Sequence, residues 1–116
     1  MIVNKTKSFT TLKPEFEGGN KGGKKNSFFK EFNENYTNFK KENLILDFSD
    51  DLNIDSEEIL LFSQTCDEHK KNGKSFIFVC KGVDFENLPD NIIIVPTHQE
   101  AADIIELEEI ERDLGI

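Results

Sequence analysis

This chain of 116 residues contains few of the residue types that build enzyme centres. It has two cysteines, two histidines, one arginine and no tryptophan. His69 and His98 lie 29 positions apart, and neither has a metal-ligating residue four positions away. No serine stands in a nucleophile elbow, and residue order indicates no Cys-His pair. We therefore expect no catalytic residue, no metal and no cofactor, with both histidines on solvent-facing helix surfaces.

Long apolar runs are also missing from the chain. No stretch approaches the roughly 20 apolar residues of a membrane span. Residues 1–14 alternate apolar and polar side chains and lack the order of a secretory signal. Cys66 and Cys80 lie in apolar stretches, which is typical of reduced core residues and not of a disulfide framework. The sequence thus predicts a cytoplasmic protein that binds no membrane.

The charge of the chain is negative and unevenly distributed. The net charge is −9, yet residues 1–43 hold nine lysines against five glutamates, or +4, which leaves −13 in residues 44–116. Repulsion between an acidic body and phosphates argues against a nucleic-acid partner. The basic N-terminal part could steer an acidic partner, and a charged surface also keeps a small protein in solution.

Short apolar segments alternate with segments of helical period. Residues 1–12 are predicted to be extended, and three runs without polar alternation, at 44–48, 75–80 and 92–95, are typical of strands covered on both faces. Strands of this kind joined by helices form mostly parallel sheets. The predicted fold is one α/β domain, a mixed, mostly parallel sheet of 4–5 strands with 3–4 helices packed on it.

Capping residues indicate where the helices begin and end. Ser27 is the predicted N-cap of a helix with an aromatic face, and residues 55–58 and 97–100 form two capping boxes. Gly73 and Gly115 are the predicted helix stops. The second helix should bury Ile59, Leu60, Phe62, Ser63 and Cys66. The last helix should bury Ala101, Ala102, Ile104 and Ile105, and a Gly/Lys-rich loop at about 15–26 should be flexible.

Two segments approach the spacing of ion-binding loops without completing it. Residues 18–25 resemble a phosphate loop, but Lys25 replaces the hydroxyl residue that binds magnesium. Residues 47–58 resemble a calcium loop, but Leu52 stands where glycine is required. A nucleotide-binding domain or enzyme is a further hypothesis for this chain. The acidic surface and the incomplete phosphate loop argue against it.

Three stretches resemble the STAS domain, the fold of anti-sigma-factor antagonists. Residues 44–49 are similar to the family's central strand. Residues 54–60 fall where the family has Asp-Ser-[Ser/Thr]-Gly at a helix start, and residues 95–101 resemble its last strand and the helix that follows. The resemblance covers about two-thirds of the chain. It implies a STAS-like fold and a non-catalytic signalling or scaffold domain that binds another protein, such as a regulator or a kinase.

The resemblance also assigns a partner-binding segment, the helix that follows the motif. It implies that Asp55, Ser56, Glu57 and Glu58 contact the partner. In the family the second hydroxyl of the motif is phosphorylated, but Glu57 stands at that position and Glu58 replaces the glycine. Ser56 matches only the first serine. A glutamate that imitates a phosphorylated state is one interpretation, and a well-formed helix start is the other.

The end of the chain offers a second surface for a partner. Leu107, Ile110 and Leu114, with Ile116, form a narrow apolar stripe between acidic residues. Such a stripe could pack into a groove on a larger enzyme, which would make the chain an accessory subunit. It could instead pack against a second copy in a weak homodimer.

Residues 108–115 carry a looser resemblance, to the ending of short Bacteroidetes proteins with an automatic ribonuclease Z label. That enzyme needs a His-x-His-x-Asp-His metal motif on a far longer chain. His69 and His98 cannot supply this motif, so we expect no ribonuclease activity.

Overall fold

A five-stranded β-sheet with helices on both faces organises the chain. The structure, a computed structural model, describes residues 1–14, 24–49, 56–81 and 88–115, except for the side chains of residues 24–27. In chain order the elements are β1 (Ile2–Lys5), β2 (Thr10–Lys13), α1 (Lys24–Asn35), a 3-10 helix (Tyr36–Asn38), β3 (Leu44–Asp47), α2 (Ser56–Leu60), α3 (Ser63–Lys71), β4 (Phe76–Val79), β5 (Ile93–Val95) and α4 (His98–Asp113).

The strands lie in the sheet in the order in which they occur along the chain. β1 and β2 are antiparallel, and β2 to β5 run parallel to one another. Leu44 at the start of β3 pairs with Thr10 on one side and with Phe76 on the other. The predicted α/β class and mostly parallel sheet are confirmed, as are the three predicted apolar strands.

Two apolar cores lie on opposite faces of this sheet. Side chains alternate along β3, so Leu44 and Leu46 point to one face and Ile45 to the other, and all three are fully buried. α1, α2 and α3 cover the first face, which holds eight of the nine phenylalanines among the described residues. α4 covers the second face, with Ala101 and Ile105 against Ile45, Ile77, Val79 and Val95. Cover on both faces explains why β4, β5 and the first three residues of β3 are all apolar.

The predicted N-cap at Thr97 and the predicted helix stops at Gly73 and Gly115 are confirmed. Thr97 accepts a hydrogen bond from the backbone N–H of Glu100 at 3.2 Å, as an N-cap does. Gly73 has φ 80°, and its N–H and that of Lys74 bond to carbonyls in the last turn of α3. This is a Schellman ending, which requires a left-handed residue. Gly115, with φ 74°, ends α4.

The predicted start of the first helix is wrong. α1 begins at Lys24, so Ser27 lies inside the helix and residues 24–26 are not part of a loop. Lysine loses little side-chain freedom in a helix, so the two lysines extend it toward its N-terminus. The rest of the predicted flexible loop, residues 15–23, lies outside the described residues.

Candidate functional site

Two residues, Leu61 and Phe62, separate α2 from α3, which the sequence predicted as one helix. The backbone N–H groups of Leu61 and Phe62 donate to the carbonyls of Glu58 and Ile59, three residues back, at 3.3 and 3.0 Å. Bonds of this 3-10 type wind the backbone more tightly than an α-helix does. The helical period is therefore interrupted at this point, and the side chains that follow are redirected.

The interruption turns neighbouring side chains in opposite directions. Ile59 and Phe62 are buried, whereas Leu60 and Leu61 are 38% and 42% exposed. The Phe62 ring packs against the rings of Phe28, Phe29, Phe32, Phe48 and Phe78, with centroids 4.9–6.2 Å apart. The prediction that Leu60 is buried is wrong, because Ile59 and Phe62, three positions apart, already supply the inward face.

Exposed acidic and polar residues precede and follow the two leucines in α2 and α3. Glu57 is exposed in the first turn of α2. On α3, exposed Gln64 and Glu68 lie one turn apart, with a 3.5 Å hydrogen bond between their side chains. We call Glu57, Leu60, Leu61, Gln64 and Glu68 the α2–α3 surface. It combines two adjacent apolar side chains with negative charge.

The residues predicted to bind a partner by family resemblance lie at the start of this surface. Glu57 is exposed, while Ser56 and Glu58 are half-buried. Asp55 lies outside the described residues, and so does the capping box that it would form with Glu58. Glu57 and the two leucines therefore supply the accessible part of the segment.

The predicted stripe on α4 is exposed, as its spacing indicated. Ala101 and Ile105 face the sheet, and the stripe lies on the opposite side of the helix. Leu107, Ile110 and Leu114 are 56%, 50% and 69% exposed. Glu106 and Glu111 border the stripe and are exposed too. The fourth member of the predicted stripe, Ile116, lies outside the described residues.

His69 was predicted on a solvent-facing surface, and this prediction is wrong. The side chain is fully buried on the face of the sheet covered by α1 to α3, where its ring lies 5.5 Å from that of Phe76. Tyr36 and the backbone of Glu42 satisfy its two nitrogens. These partners are 33 and 27 residues away, so no local pattern revealed them. His98 is exposed, as predicted, with Nε2 2.9 Å from the Thr11 hydroxyl.

The two cysteines are buried and unbridged, as the sequence indicated. Burial raises the pKa of the Cys66 thiol to about 12, which leaves it protonated and unreactive at neutral pH. Among the residues that the structure describes, no group of three His, Cys, Asp or Glu side chains is placed to hold a metal ion.

A polar network that the sequence did not reveal joins α4 to the amino ends of β3 and β4. The Asn43 amide donates to Glu109 at 2.6 Å, and the Ser75 hydroxyl donates to Glu108 at 2.5 Å. Arg112 donates to both Asn43 Oδ1 and Ser75 Oγ at 3.3 Å. Asn43 and Ser75 are buried, so the network fixes the end of α4 against the sheet. The sequence alone indicated only that the acidic residues of α4 lie on a solvated surface.

Within the described ranges, no helix combines the length and the apolar composition needed to cross a bilayer. No protein-family model matches the chain, and no curated protein shows significant similarity to its sequence. The STAS resemblance carried by residues 44–49, 54–60 and 95–101 therefore stays a prediction, and function is argued from the two exposed apolar surfaces.

Proposed function

We propose that this protein is a non-catalytic domain that binds another protein through the α2–α3 surface, as a STAS-type signalling scaffold or anti-sigma-factor antagonist would. One observation carries the proposal. Leu60 and Leu61 are exposed side by side, next to Glu57, on the segment to which the family resemblance assigns partner binding. The order of elements from Leu44 onward, strand, helical segment, two strands and helix, is the order on which that resemblance rests.

The physical chemistry of this surface suits a partner with an apolar pocket and a basic rim. Full burial of a leucine side chain contributes about 1.5–3 kcal/mol, so two adjacent leucines can anchor an interface. Glu57 and Glu68 would favour basic partner surfaces and raise the association rate. Phe62, the next residue in the chain after the two leucines, packs among aromatic rings and so fixes the backbone beside them before binding, which lowers the entropic cost of association.

Glu57 bears on whether partner binding by the proposed signalling domain is regulated by phosphorylation. It occupies the position that is phosphorylated in the resembled family, so its charge is permanent and no kinase controls it there. We infer a domain that binds constitutively, with regulation left to its partner. The two free, buried cysteines support a reducing compartment such as the cytoplasm as its place of work.

Affinity capture with matched variants tests this proposal. The double variant L60E/L61E places two charges on the α2–α3 surface, and L107E/L114E makes the same exchange of exposed leucines on α4. Both variants and the wild-type protein are tagged and exposed to the same lysate, and bound proteins are identified by mass spectrometry. We expect a regulator or kinase that L60E/L61E loses and L107E/L114E retains.

The alternative is an accessory subunit or dimerising protein that binds through α4. The observation in its favour is exposure, since Leu107, Ile110 and Leu114 are each at least half exposed. A larger enzyme captured by L60E/L61E but not by L107E/L114E would establish this alternative. A concentration-dependent dimer that L107E/L114E abolishes would instead identify a second copy of the chain as the occupant of the stripe.

A further inference from the structure

A polar cavity opens at the amino edge of the sheet, opposite the edge from which α2 begins. Its volume is about 330 Å³. The turn between β1 and β2, the segment before β3, the end of α3 and the last turns of α4 contribute its walls. Four cations line it: Lys7, Lys41, Lys74 and Arg112. An adjoining cavity of about 550 Å³ shares Lys41 and Lys74 and adds Lys40.

Two of the three acids that line this cavity, Glu42 and Glu109, accept hydrogen bonds from neighbouring side chains. Glu42 accepts from Lys5 at 3.1 Å and from the Thr10 hydroxyl at 2.9 Å, and Glu109 accepts from Asn43 at 2.6 Å. In the described part of the chain, none of the four lining cations forms an ion pair. Asp113 is the remaining acid of the lining. The lining thus holds four cations against three carboxylates, and Lys5 already pairs with one of these, Glu42, so positive charge exceeds negative charge here in a protein of net charge −9.

Helix ends account for only part of this charge. Lys74 and Arg112 lie where α3 and α4 end, and cations there offset the partial negative charge of helix C-termini. Lys41 follows the 3-10 helix by three residues, the same distance at which Lys74 follows α3, whereas Lys7 lies in the turn between two strands and serves no helix end. Helix ends therefore do not explain why Lys7 lies beside the other three cations.

Arg112 is held in a way that keeps its charge available. Its guanidinium donates to two neutral oxygens, Ser75 Oγ and Asn43 Oδ1, both on buried residues at the ends of adjacent strands. No carboxylate contacts the guanidinium directly within the described residues; Glu108 and Glu109 bond instead to the Ser75 and Asn43 side chains that hold it. A guanidinium fixed in this way keeps its positive charge, and the N–H groups that the network leaves free can donate to an incoming phosphate or carboxylate.

We propose that this cavity is a binding site for a small organic anion that carries a phosphate or carboxylate group. The anionic group would lie between Arg112, Lys41 and Lys74, with Lys7 closing the open side. The cavity volume lies at the lower end of the range for small-molecule sites, and its lining is predominantly polar, which fits a small hydrophilic metabolite. This site lies apart from the α2–α3 surface, so it can be present whether or not that surface binds a protein.

Amide chemical shifts during titration with inorganic phosphate and with citrate, each at constant ionic strength against chloride, test the site. The variant K7E/K41E reverses two exposed cations of the cavity, and K30E/K81E reverses two exposed lysines elsewhere as a control of equal charge. Thermal unfolding of both variants confirms that they fold.

We expect saturable shifts at Asn43, Lys74 and Arg112 with a dissociation constant of about 1 mM or lower for at least one of the two anions. K7E/K41E should weaken binding at least about tenfold, while K30E/K81E should bind like the wild-type protein. The anion that saturates identifies the group recognised. Chemical-shift changes that stay linear with the concentration of both anions would overturn the proposal. An equal loss of anion affinity in K7E/K41E and K30E/K81E would overturn it too.

Discussion

The hydroxyl of Tyr36 lies 2.7 Å from Nδ1 of His69, and the other ring nitrogen, Nε2, lies 2.7 Å from the carbonyl oxygen of Glu42. A carbonyl oxygen only accepts, so Nε2 carries a proton. Burial lowers the pKa of the ring and favours its neutral form, in which Nδ1 accepts from the tyrosine. The imidazole joins the 3-10 helix and the segment before β3 to α3. Both of its hydrogen-bonding positions are used, which makes it part of the core.

The neutral state of His69 predicts how stability depends on pH. Burial lowers its pKa below the ordinary 6.5, the Glu42 carbonyl opposes this shift, and the charge of Lys74 adds to it. Above pH 6.5 both folded and unfolded chains hold the ring neutral; below it the unfolded chain takes up a proton that the folded chain refuses. The free energy of unfolding contributed by His69 should therefore fall as the pH drops from 6.5. Urea unfolding should show that the difference in the free energy of unfolding between the wild type and His69→Phe shrinks as the pH falls below 6.5. A difference that stays constant would contradict a neutral, buried His69.

Removing either partner of the hydrogen bond between Tyr36 and His69 should destabilise the protein. His69→Phe keeps a ring in the core but leaves the Tyr36 hydroxyl and the Glu42 carbonyl without their partner, at a cost of about 1–3 kcal/mol. Tyr36→Phe leaves Nδ1 of the fully buried His69 ring without a donor, so its cost lies in the same range, about 1–3 kcal/mol. Urea unfolding above pH 6.5 measures both. A His69→Phe variant as stable as the wild type would show that the bonds contribute nothing net.

Gly73 should tolerate asparagine better than alanine. A Cβ at this position meets nothing within 4 Å, so any cost comes from its φ of 80° and not from a clash. Gly73→Ala should lower stability by about 1–2 kcal/mol, the cost of the left-handed conformation for an ordinary residue. Asparagine visits this conformation more readily, so Gly73→Asn should lose less. Thermal unfolding distinguishes them, and equal losses would point to a steric cause.

Neither thiol should react while the protein is folded. Cys66 is fully buried with its pKa raised to about 12, and Cys80 is buried at the end of β4. A thiol-specific reagent such as dithionitrobenzoate should detect no cysteine at neutral pH without denaturant and both after unfolding. A single fast-reacting thiol in the native protein would mean that the core opens at α3 far more often than its packing indicates.

Much of the fold follows from local sequence patterns, because those patterns act over a few residues. Apolar runs located β3, β4 and β5, while Thr97 and Gly73 marked helix ends through contacts within one turn. The position where α1 begins was missed, since the lysine-rich segment before Ser27 was taken as a loop.

The candidate sites were less predictable, because they depend on contacts between distant segments. The exposure of the α4 stripe followed from helical spacing alone. The break at Leu61 depends instead on how Phe62 fits among rings from α1, β3 and β4, which spacing within the helix cannot show. The network of Asn43, Ser75 and Arg112 joins residues 32 to 69 positions apart, so no local signal could have found it.

Calorimetric binding of the captured partner to Leu61→Glu and Leu107→Glu, each compared with the wild type, tests the α2–α3 surface most directly. Both variants replace one exposed leucine with the same charge on different helices. A charge in a buried apolar contact should weaken binding at least about tenfold, or 1.4 kcal/mol, for Leu61→Glu and leave Leu107→Glu within about twofold. Unchanged affinity for Leu61→Glu, with binding lost in Leu107→Glu, would contradict the proposed function and assign the interface to α4.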